Sequence, residues 1–193
     1  TGKSHRLARP YKLFGSERPV IDEAYPGDVV GLPNMGEFAI GDTLVAGRSF
    51  KFQPLPRFQP ERFALLRNKD LSKYKQFLKG LGQLELEGAV QVFHNVDAFR
   101  REPILAVVGQ LQFDVVQARL ESEYNVPTEI EPLAIELARW VSGPEEAILR
   151  IPSRSDVLLA RDSDGAYVAL FREPFYLRYT AERHPGLKFE TQS

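Results

Sequence analysis

The pattern of apolar and polar residues divides the chain near residue 57. In the first 50 residues, apolar stretches such as 29–32 and 43–45 are three or four residues long and alternate with turns rich in glycine and proline. Short stretches between such turns predict β-strands, and this spacing is typical of a small β-barrel. Because these residues supply only part of a barrel, we expect the chain to begin inside a larger barrel domain.

A proline-rich stretch, Gln53-Pro54-Leu55-Pro56, follows the predicted barrel strands. Proline disfavours helix in the residue before it, so this stretch predicts an extended linker. We therefore assign residues 1–56 to the C-terminal part of a β-barrel domain and residues 57–193 to a second domain.

Longer elements follow the linker. Residues 62–67 predict a strand, and Asp70 or Ser72 can cap a helix. Apolar residues recur at helical spacing and predict the buried face of that helix: Tyr74, Phe77, Leu78, Leu81 and Leu84. Gly80 and Gly82 each lower its helix propensity by about 1 kcal/mol relative to alanine, so packing must hold it together.

The remaining pattern predicts an α+β domain. Strands are expected at 89–93, 103–108 and 128–130, and a helix at 111–124 whose inward residues are Leu111, Val115, Ala118 and Leu120. The order β-α-β-β-α-β is that of a ferredoxin-like fold. Residues 135–189 predict the same order again, with strands at 135–141, 157–160, 166–171 and 187–189 and helices at 144–149 and 174–183. The predicted fold class is therefore a partial β-barrel followed by a ferredoxin-like α+β domain, whose duplication is a hypothesis.

Composition narrows the class of protein. Hydrophobic residues make up 43% of the 193 residues, which is enough for a buried core. No apolar run approaches the ~18 residues of a membrane helix, and the first residues lack the apolar stretch of a secretory signal. The absence of cysteine excludes disulfides, thiol nucleophiles and thiolate metal sites. These features predict a cytoplasmic protein without a membrane span.

The formal net charge of −1 conceals an uneven distribution. Residues 57–83 hold seven basic and two acidic residues (net +5), whereas residues 84–193 hold eleven basic and eighteen acidic residues (net −7). Five cations around the start of the first predicted helix form a basic belt: Arg67, Lys69, Lys73, Lys75 and Lys79. Lys75 and Lys79 are spaced i, i+4, opposite the apolar stripe. The belt fits either a phosphate-binding face or a solvated helix face, and both interpretations stay open.

Nucleotide-binding motifs are incomplete. Thr1-Gly2-Lys3-Ser4 resembles the end of a phosphate-binding loop, but such a loop opens a helix, and Pro10 follows in a stretch that predicts a strand. Asn68-Lys69-Asp70 has its aspartate one position too early for the guanine-reading motif Asn-Lys-x-Asp. We therefore predict no cofactor for this chain.

Catalytic and metal sites are not predicted either. His5, His94 and His184 are far apart and lack metal-ligand spacing. No G-x-S-x-G elbow occurs, and Glu145-Glu146 lies where a helix N-terminus favours negative charge. We expect the chain not to be an enzyme. A hydrolase of another type is the alternative, and it would need a cluster of acid, base and nucleophile.

Several longer phrases resemble one family. The segments similar to bacterial peptide chain release factor 3, a translational GTPase, are 67–81, 87–93, 103–113 and 138–141. Residues 24–32, which begin Ala24-Tyr25-Pro26-Gly27-Asp28, and residues 40–44 are similar to the end of the second-domain barrel of translational GTPases. The resemblance covers essentially the whole chain and implies the end of domain II followed by domain III.

The resemblance also implies a function. The family promotes the dissociation of class I release factors from the ribosome in translation termination, and its GTP and magnesium are held by an N-terminal G domain whose motifs this chain lacks. The expected partners are the ribosome, through ribosomal RNA and small-subunit protein, class I release factors and the G domain. Ribosome contact by the basic belt is an inference from charge. A stand-alone ribosome- or protein-interaction module without GTPase activity is the alternative.

Overall fold

A computed structural model describes residues 9–12, 19–33, 38, 40–48, 50–53, 58–97 and 101–191. The chain divides into two compact units, Thr1–Phe52 and Gln53–Ser193. The incomplete phosphate loop at residues 1–4, His5 and most of the predicted linker lie outside the described residues.

The first unit contains little regular structure among its described residues. Strand β1 (Tyr11–Lys12) pairs antiparallel with β2 (Val30–Gly31), and Tyr11 also bridges to Val20. The strand predicted at 43–45 is wrong, because these residues are irregular. Gly41 and Gly47 on either side have φ values of +90° and +84°, a left-handed conformation that turns the chain at both ends of this short segment.

The second unit contains the predicted helices and strands with small shifts at their ends. Its first half consists of β3 (Arg62–Asn68), a 3₁₀ turn (Leu71–Lys73), α1 (Tyr74–Leu86), β4 (Gln91–Asn95), β5 (Ile104–Val107), α2 (Leu111–Tyr124) and β6 (Thr128–Pro132). Its second half consists of β7 (Leu137–Ser142), α3 (Glu145–Ile148), β8 (Val157–Arg161), β9 (Tyr167–Phe171), α4 (Pro174–Arg183) and β10 (Lys188–Glu190).

The two halves have the same topology. All eight strands belong to one antiparallel sheet in the order β10-β7-β9-β8-β4-β5-β3-β6. If the strands of each half are numbered along the chain, both halves have the order 4-1-3-2, which is the order of a ferredoxin-like sheet. The predicted β-α-β-β-α-β repeat is therefore present in both sequence order and strand order.

The sheet bends where the two halves meet. Only two residue pairs, His94–Arg161 and Asn95–Ala160, join β4 to β8. Phe93 of β4 contacts Trp140 of β7 edge to face, with ring centroids 6.0 Å apart, although two strands lie between β4 and β7 in the sheet. One apolar core combines residues of both halves, so the halves pack sheet against sheet.

Two further cores lie on the outer faces of the bent sheet. One is formed with α1 and α2 by residues such as Phe77, Leu84 and Phe113. The other is formed with α3 and α4 and includes Ile148 and Phe171. The layers are therefore helices, sheet, sheet, helices, and α1 and α4 belong to opposite outer layers. Phe93, Phe113 and Phe171 are almost completely buried in these three cores.

The buried face of α2 differs from the predicted one. Leu111 and Val115 are 77% and 52% exposed, and Ala118 is exposed as well. The buried residues are Phe113, Val116 and Leu120. Apolar residues lie along two opposite sides of this helix, and both sides have helical spacing. The side that carries the large Phe113 ring is the buried one.

The face of α1 is closer to the prediction. Phe77, Leu81 and Leu84 are buried, whereas Tyr74 and Leu78 are about half exposed, at 49% and 46%. Tyr74 stacks on Phe77 at the edge of the core, with ring centroids 6.2 Å apart. The buried stripe is thus narrower than predicted, and a larger part of α1 faces solvent.

Candidate functional site

The basic belt lies where β3 ends and α1 begins. Arg67 is in β3, Lys69 follows it, Lys73 ends the 3₁₀ turn, and Lys75 and Lys79 are in α1. Asp70 fixes this junction because its Oδ1 accepts hydrogen bonds from the backbone N (3.0 Å) and the Oγ (2.6 Å) of Ser72. These bonds from Ser72 lower the pKa of Asp70, and the nearby Lys73 ammonium adds to the effect.

Two members of the belt have acceptors within the fold. Arg67 Nη2 lies 2.7 Å from Glu131 Oε2, and Arg67 Nε lies 3.8 Å from Glu102 Oε1. Lys73 Nζ donates a hydrogen bond of 2.8 Å to the carbonyl oxygen of Asn125, which ends α2 in a left-handed conformation (φ +55°). Part of the belt's charge is therefore neutralised by the fold itself.

Lys69 lies at a shallow pocket between α2 and β6. The pocket has a volume of about 270 Å³, and its walls include Asp114 and Glu129 together with the Lys69 side chain. These carboxylates reduce the positive potential around Lys69. The pocket is thus a mixed-charge groove at the edge of the sheet, and Lys69 does not extend the positive face of α1.

Lys75 and Lys79 are exposed, and neither forms an ion pair within the described part of the chain. The two carboxylates near the end of α1 are engaged elsewhere. Glu85 Oε1 accepts hydrogen bonds from the backbone N of Val92 (3.1 Å) and from Ser163 Oγ (2.5 Å). Glu87 pairs with Arg119 at 2.6 Å. The exposed charged side chains in the first two turns of α1 are therefore both lysines.

The other charged clusters are ion pairs that join helices or strands. Arg119 binds both Glu87 and Glu123, each at 2.6 Å, and its hydrogen bonds lower the pKa of both carboxyl groups. In the second half, Tyr167 donates a hydrogen bond of 2.5 Å to Glu145, which is 3.1 Å from Arg161. The bond from Tyr167 and the pairing with Arg161 lower the pKa of Glu145.

These clusters do not have the geometry of a catalytic or metal site. Each carboxylate faces an arginine, which keeps it ionised and unsuited to act as a base near neutral pH. His94 is exposed on β4, and His184 is the C-cap residue of α4, so the histidines within the described ranges lie on different elements of the two halves. In the same ranges, no group of three histidine, aspartate or glutamate side chains is arranged to hold a metal ion. The helices of these ranges also include none that is long and apolar enough to cross a membrane.

Sequence reasoning found all five cations but missed their acceptors. Glu131 and Asn125 are more than 50 positions from Arg67 and Lys73 along the chain, and only the pairing of β3 with β6 and the packing of α1 on α2 bring them together. The one local signal was Asp70, which is three residues before Lys73. The distinction between paired and unpaired cations therefore required the fold.

Comparisons with known proteins agree with this organisation. The family model described as "Class II release factor RF3, C-terminal domain" matches residues 52–181, and the model described as "Elongation factor G domain 2" matches residues 1–47. The second match confirms that a translation-factor β-barrel domain precedes the α+β domain.

Curated relatives match over nearly the whole chain. Peptide chain release factor 3 of Microcystis aeruginosa is 51% identical over 191 residues, which is 99% of this chain and 35% of that protein. The protein of the same name from Gloeobacter violaceus is 52% identical over 190 residues, which is 98% of this chain and 36% of that protein. The chain thus spans about a third of the length of these relatives.

A solved structure shares the fold at low sequence identity. A crystal structure of a protein from Thermus thermophilus matches 79% of this chain and 24% of its own length, with a TM-score of 0.50 and 17% identity. This likeness concerns the fold alone. The family match over residues 52–181 and the identities near 50% show that the chain belongs to the peptide chain release factor 3 family.

Proposed function

We propose that this chain is a non-catalytic, ribosome-docking region of a translational GTPase that promotes dissociation of class I release factors from the ribosome, in the cytoplasm, at the end of translation. Membership of the release factor 3 family supports the general role. The proposal assigns GTP and magnesium to a G domain outside this chain, because the chain has no complete nucleotide motif. Its proposed partners are ribosomal RNA, small-subunit protein, class I release factors and that G domain.

The observation that carries the docking proposal is the unpaired, exposed pair Lys75 and Lys79 on α1. Lysine ammonium groups act as point charges toward phosphate, and each contact made to RNA releases condensed counterions. Arg67, Lys69 and Lys73 also belong to the proposed surface. Their local carboxylate or carbonyl neighbours predict smaller individual contributions than those of Lys75 and Lys79.

The test uses a chimeric factor, the Microcystis aeruginosa protein with this chain in place of the region that it matches. Ribosome binding is measured by cosedimentation over a range of salt concentrations, and recycling by the release of a labelled class I release factor. Lys75→Ala with Lys79→Ala should weaken binding and reduce the salt slope by roughly one unit for each phosphate group that is no longer bound. The single variants Lys75→Ala and Lys79→Ala are also measured. Lys188→Ala, on β10 of the other half, is their control because it removes the same charge elsewhere.

Two results would contradict the proposal. Unchanged affinity and salt slope in the double variant, with native circular dichroism, would make these lysines a solvated face. A chimera that binds ribosomes as tightly as the Microcystis aeruginosa factor but does not release the class I factor would refute the recycling role.

A further inference from the structure

Helix α4 carries an exposed stripe of two aromatic rings and an arginine. Phe175 and Tyr179 are 55% and 45% exposed, and their rings stack with planes 20° apart and centroids 6.1 Å apart. The Arg183 guanidinium lies over the Tyr179 ring, 4.6 Å from its centroid. The three side chains are spaced i, i+4, i+8 and form one continuous aromatic–arginine stripe.

The stripe is supported by the core beneath α4. Phe175 also contacts the ring of Tyr176 edge to face at 5.4 Å, and Tyr176 and Leu177 pack against that core. Pro174 occupies the first turn of the helix, where its fixed φ favours the helical conformation. These contacts favour the observed arrangement of the stripe, and such preorganisation lowers the entropic cost of binding.

The stripe cannot share a flat partner surface with the basic belt, because α1 and α4 form opposite outer layers of the second unit. If the belt faces ribosomal phosphate, the stripe faces another neighbour. The charged side chains of α4 itself, Arg178, Glu182 and Arg183, are all exposed and sum to a net +1. This excess favours an acidic partner, but it is much smaller than the positive charge of the belt.

The low net charge of α4 favours protein over RNA as the partner. RNA binding draws much of its affinity from cations that contact phosphate, and α4 carries an excess of only one positive charge. The rings of Phe175 and Tyr179 overlap little at a centroid distance of 6.1 Å, so the stripe offers apolar ring surface beside guanidinium N–H groups. Tyrosine and arginine are enriched among the residues that dominate protein–protein binding energy.

We propose that the aromatic–arginine stripe of α4 docks a protein segment that places an apolar side chain against Phe175 and Tyr179 and a carboxylate against Arg183 or Arg178. The inference rests on the proposed function for its setting, since the partner is expected on the ribosome or bound to it. A guanidinium held over an aromatic ring keeps its edge available for a carboxylate, and that contact needs no phosphate.

The first test identifies the chemical nature of the neighbour. The chimeric factor carries the photocrosslinker p-benzoylphenylalanine in place of Phe175 and is bound to ribosomes with and without a class I release factor. Irradiation should yield a protein crosslink whose mapped segment contains Asp or Glu beside an apolar residue. The same crosslinker in place of Leu149, which is 50% exposed near α3, is the position control. A crosslink to RNA at position 175, or no crosslink while the factor is bound, would overturn the inference.

The second test measures affinity. Phe175→Ala and Tyr179→Ala should each weaken binding to the complex that gives the crosslink by roughly tenfold or more, with an unchanged salt slope. Tyr179→Phe, which keeps the ring, should bind within about twofold of wild type, and Leu149→Ala should have no effect. Unchanged affinity in both alanine variants refutes docking by the aromatic–arginine stripe but leaves the proposed function standing. Failure of the wild-type chimera to cosediment with ribosomes refutes the proposed function and this inference with it.

Discussion

Replacing Gly80 by alanine should leave the second unit less stable than replacing Gly82 in the same helix, and the Gly82 replacement should stabilise it. A Cβ atom added at Gly80 would lie 2.8 Å from Leu120 Cδ2 and 2.8 Å from Tyr124 Cγ. At Gly82 an added Cβ meets nothing within 4 Å. Packing therefore accounts for the glycine at position 80 and not for the one at position 82.

The magnitudes follow from two opposing effects. Alanine in a helix interior gains about 1 kcal/mol over glycine, and both variants share this gain. Carbon atoms in good contact are about 3.5–4.0 Å apart, so the Cβ at Gly80 overlaps its neighbours by roughly 0.7 Å or more. Leu120 is completely buried and cannot swing away. Overpacking of this kind costs about 1–3 kcal/mol.

We therefore expect Gly82→Ala to raise the free energy of unfolding by up to about 1 kcal/mol and Gly80→Ala to leave it unchanged or lower it by up to about 2 kcal/mol. The difference between the variants, about 1–3 kcal/mol, isolates the helix–helix clash because the propensity gain cancels. Urea unfolding followed by circular dichroism and by the fluorescence of Trp140, the single tryptophan, measures both variants.

A double-mutant cycle locates the clash. Leu120→Val shortens the side chain that the new Cβ meets, so it should cost less stability in the Gly80→Ala background than in the wild type. A Gly80→Ala variant as stable as Gly82→Ala would refute the close approach of α1 and α2. If Leu120→Val costs the same stability in the Gly80→Ala background as in the wild type, the clash involves Tyr124 alone.

Two further predictions concern pH and nucleotide. Arg119 lowers the pKa of Glu87 and Glu123 below the ordinary value of 4.5, so these carboxylates stabilise the fold above about pH 4.5, and that stability is lost as pH falls through their folded-state pKa values. Arg119→Ala should therefore lose less stability than wild type between about pH 6 and pH 3, as measured by urea midpoints, and equal losses would contradict the assignment. Titration of the chain with GTP or GDP and magnesium should give no saturable heat and no thermal shift, whereas micromolar saturation would show a nucleotide site that the sequence does not reveal.

The sequence predicted the order of the elements well because the helical and strand spacings of apolar residues in the second unit are clear within each segment. Helices α2 and α4 span the residues that the pattern indicated, and the strand order followed from the β-α-β-β-α-β rule. The inward face of α2 could not be predicted in the same way. Leu111 and Val115 satisfy helical spacing as well as Phe113 and Val116 do, and the choice depends on the sheet beneath.

The packing of the two halves also lies beyond local pattern. Both faces of strands such as β5 and β9 are buried, which gives continuous apolar runs without the alternation that would reveal which face meets a helix and which meets the other sheet. The contact between Phe93 and Trp140 and the shared core around it show which face of each half meets the other sheet. The opposite placement of α1 and α4, on which the two proposed surfaces depend, follows from that packing.

The same reasoning explains why a cluster of cations in the sequence is a poor guide to a binding surface by itself. Arg67 and Lys73 have the same charge as Lys75 and Lys79 and lie within the same 13 residues, but the fold supplies Glu131 and the carbonyl of Asn125 to the first two. Replacing Arg67 or Lys73 also removes a contact within the fold, whereas replacing Lys75 or Lys79 removes only charge that faces solvent. A difference in ribosome affinity can therefore be attributed to docking only for the latter pair, which is why the pair carries the test.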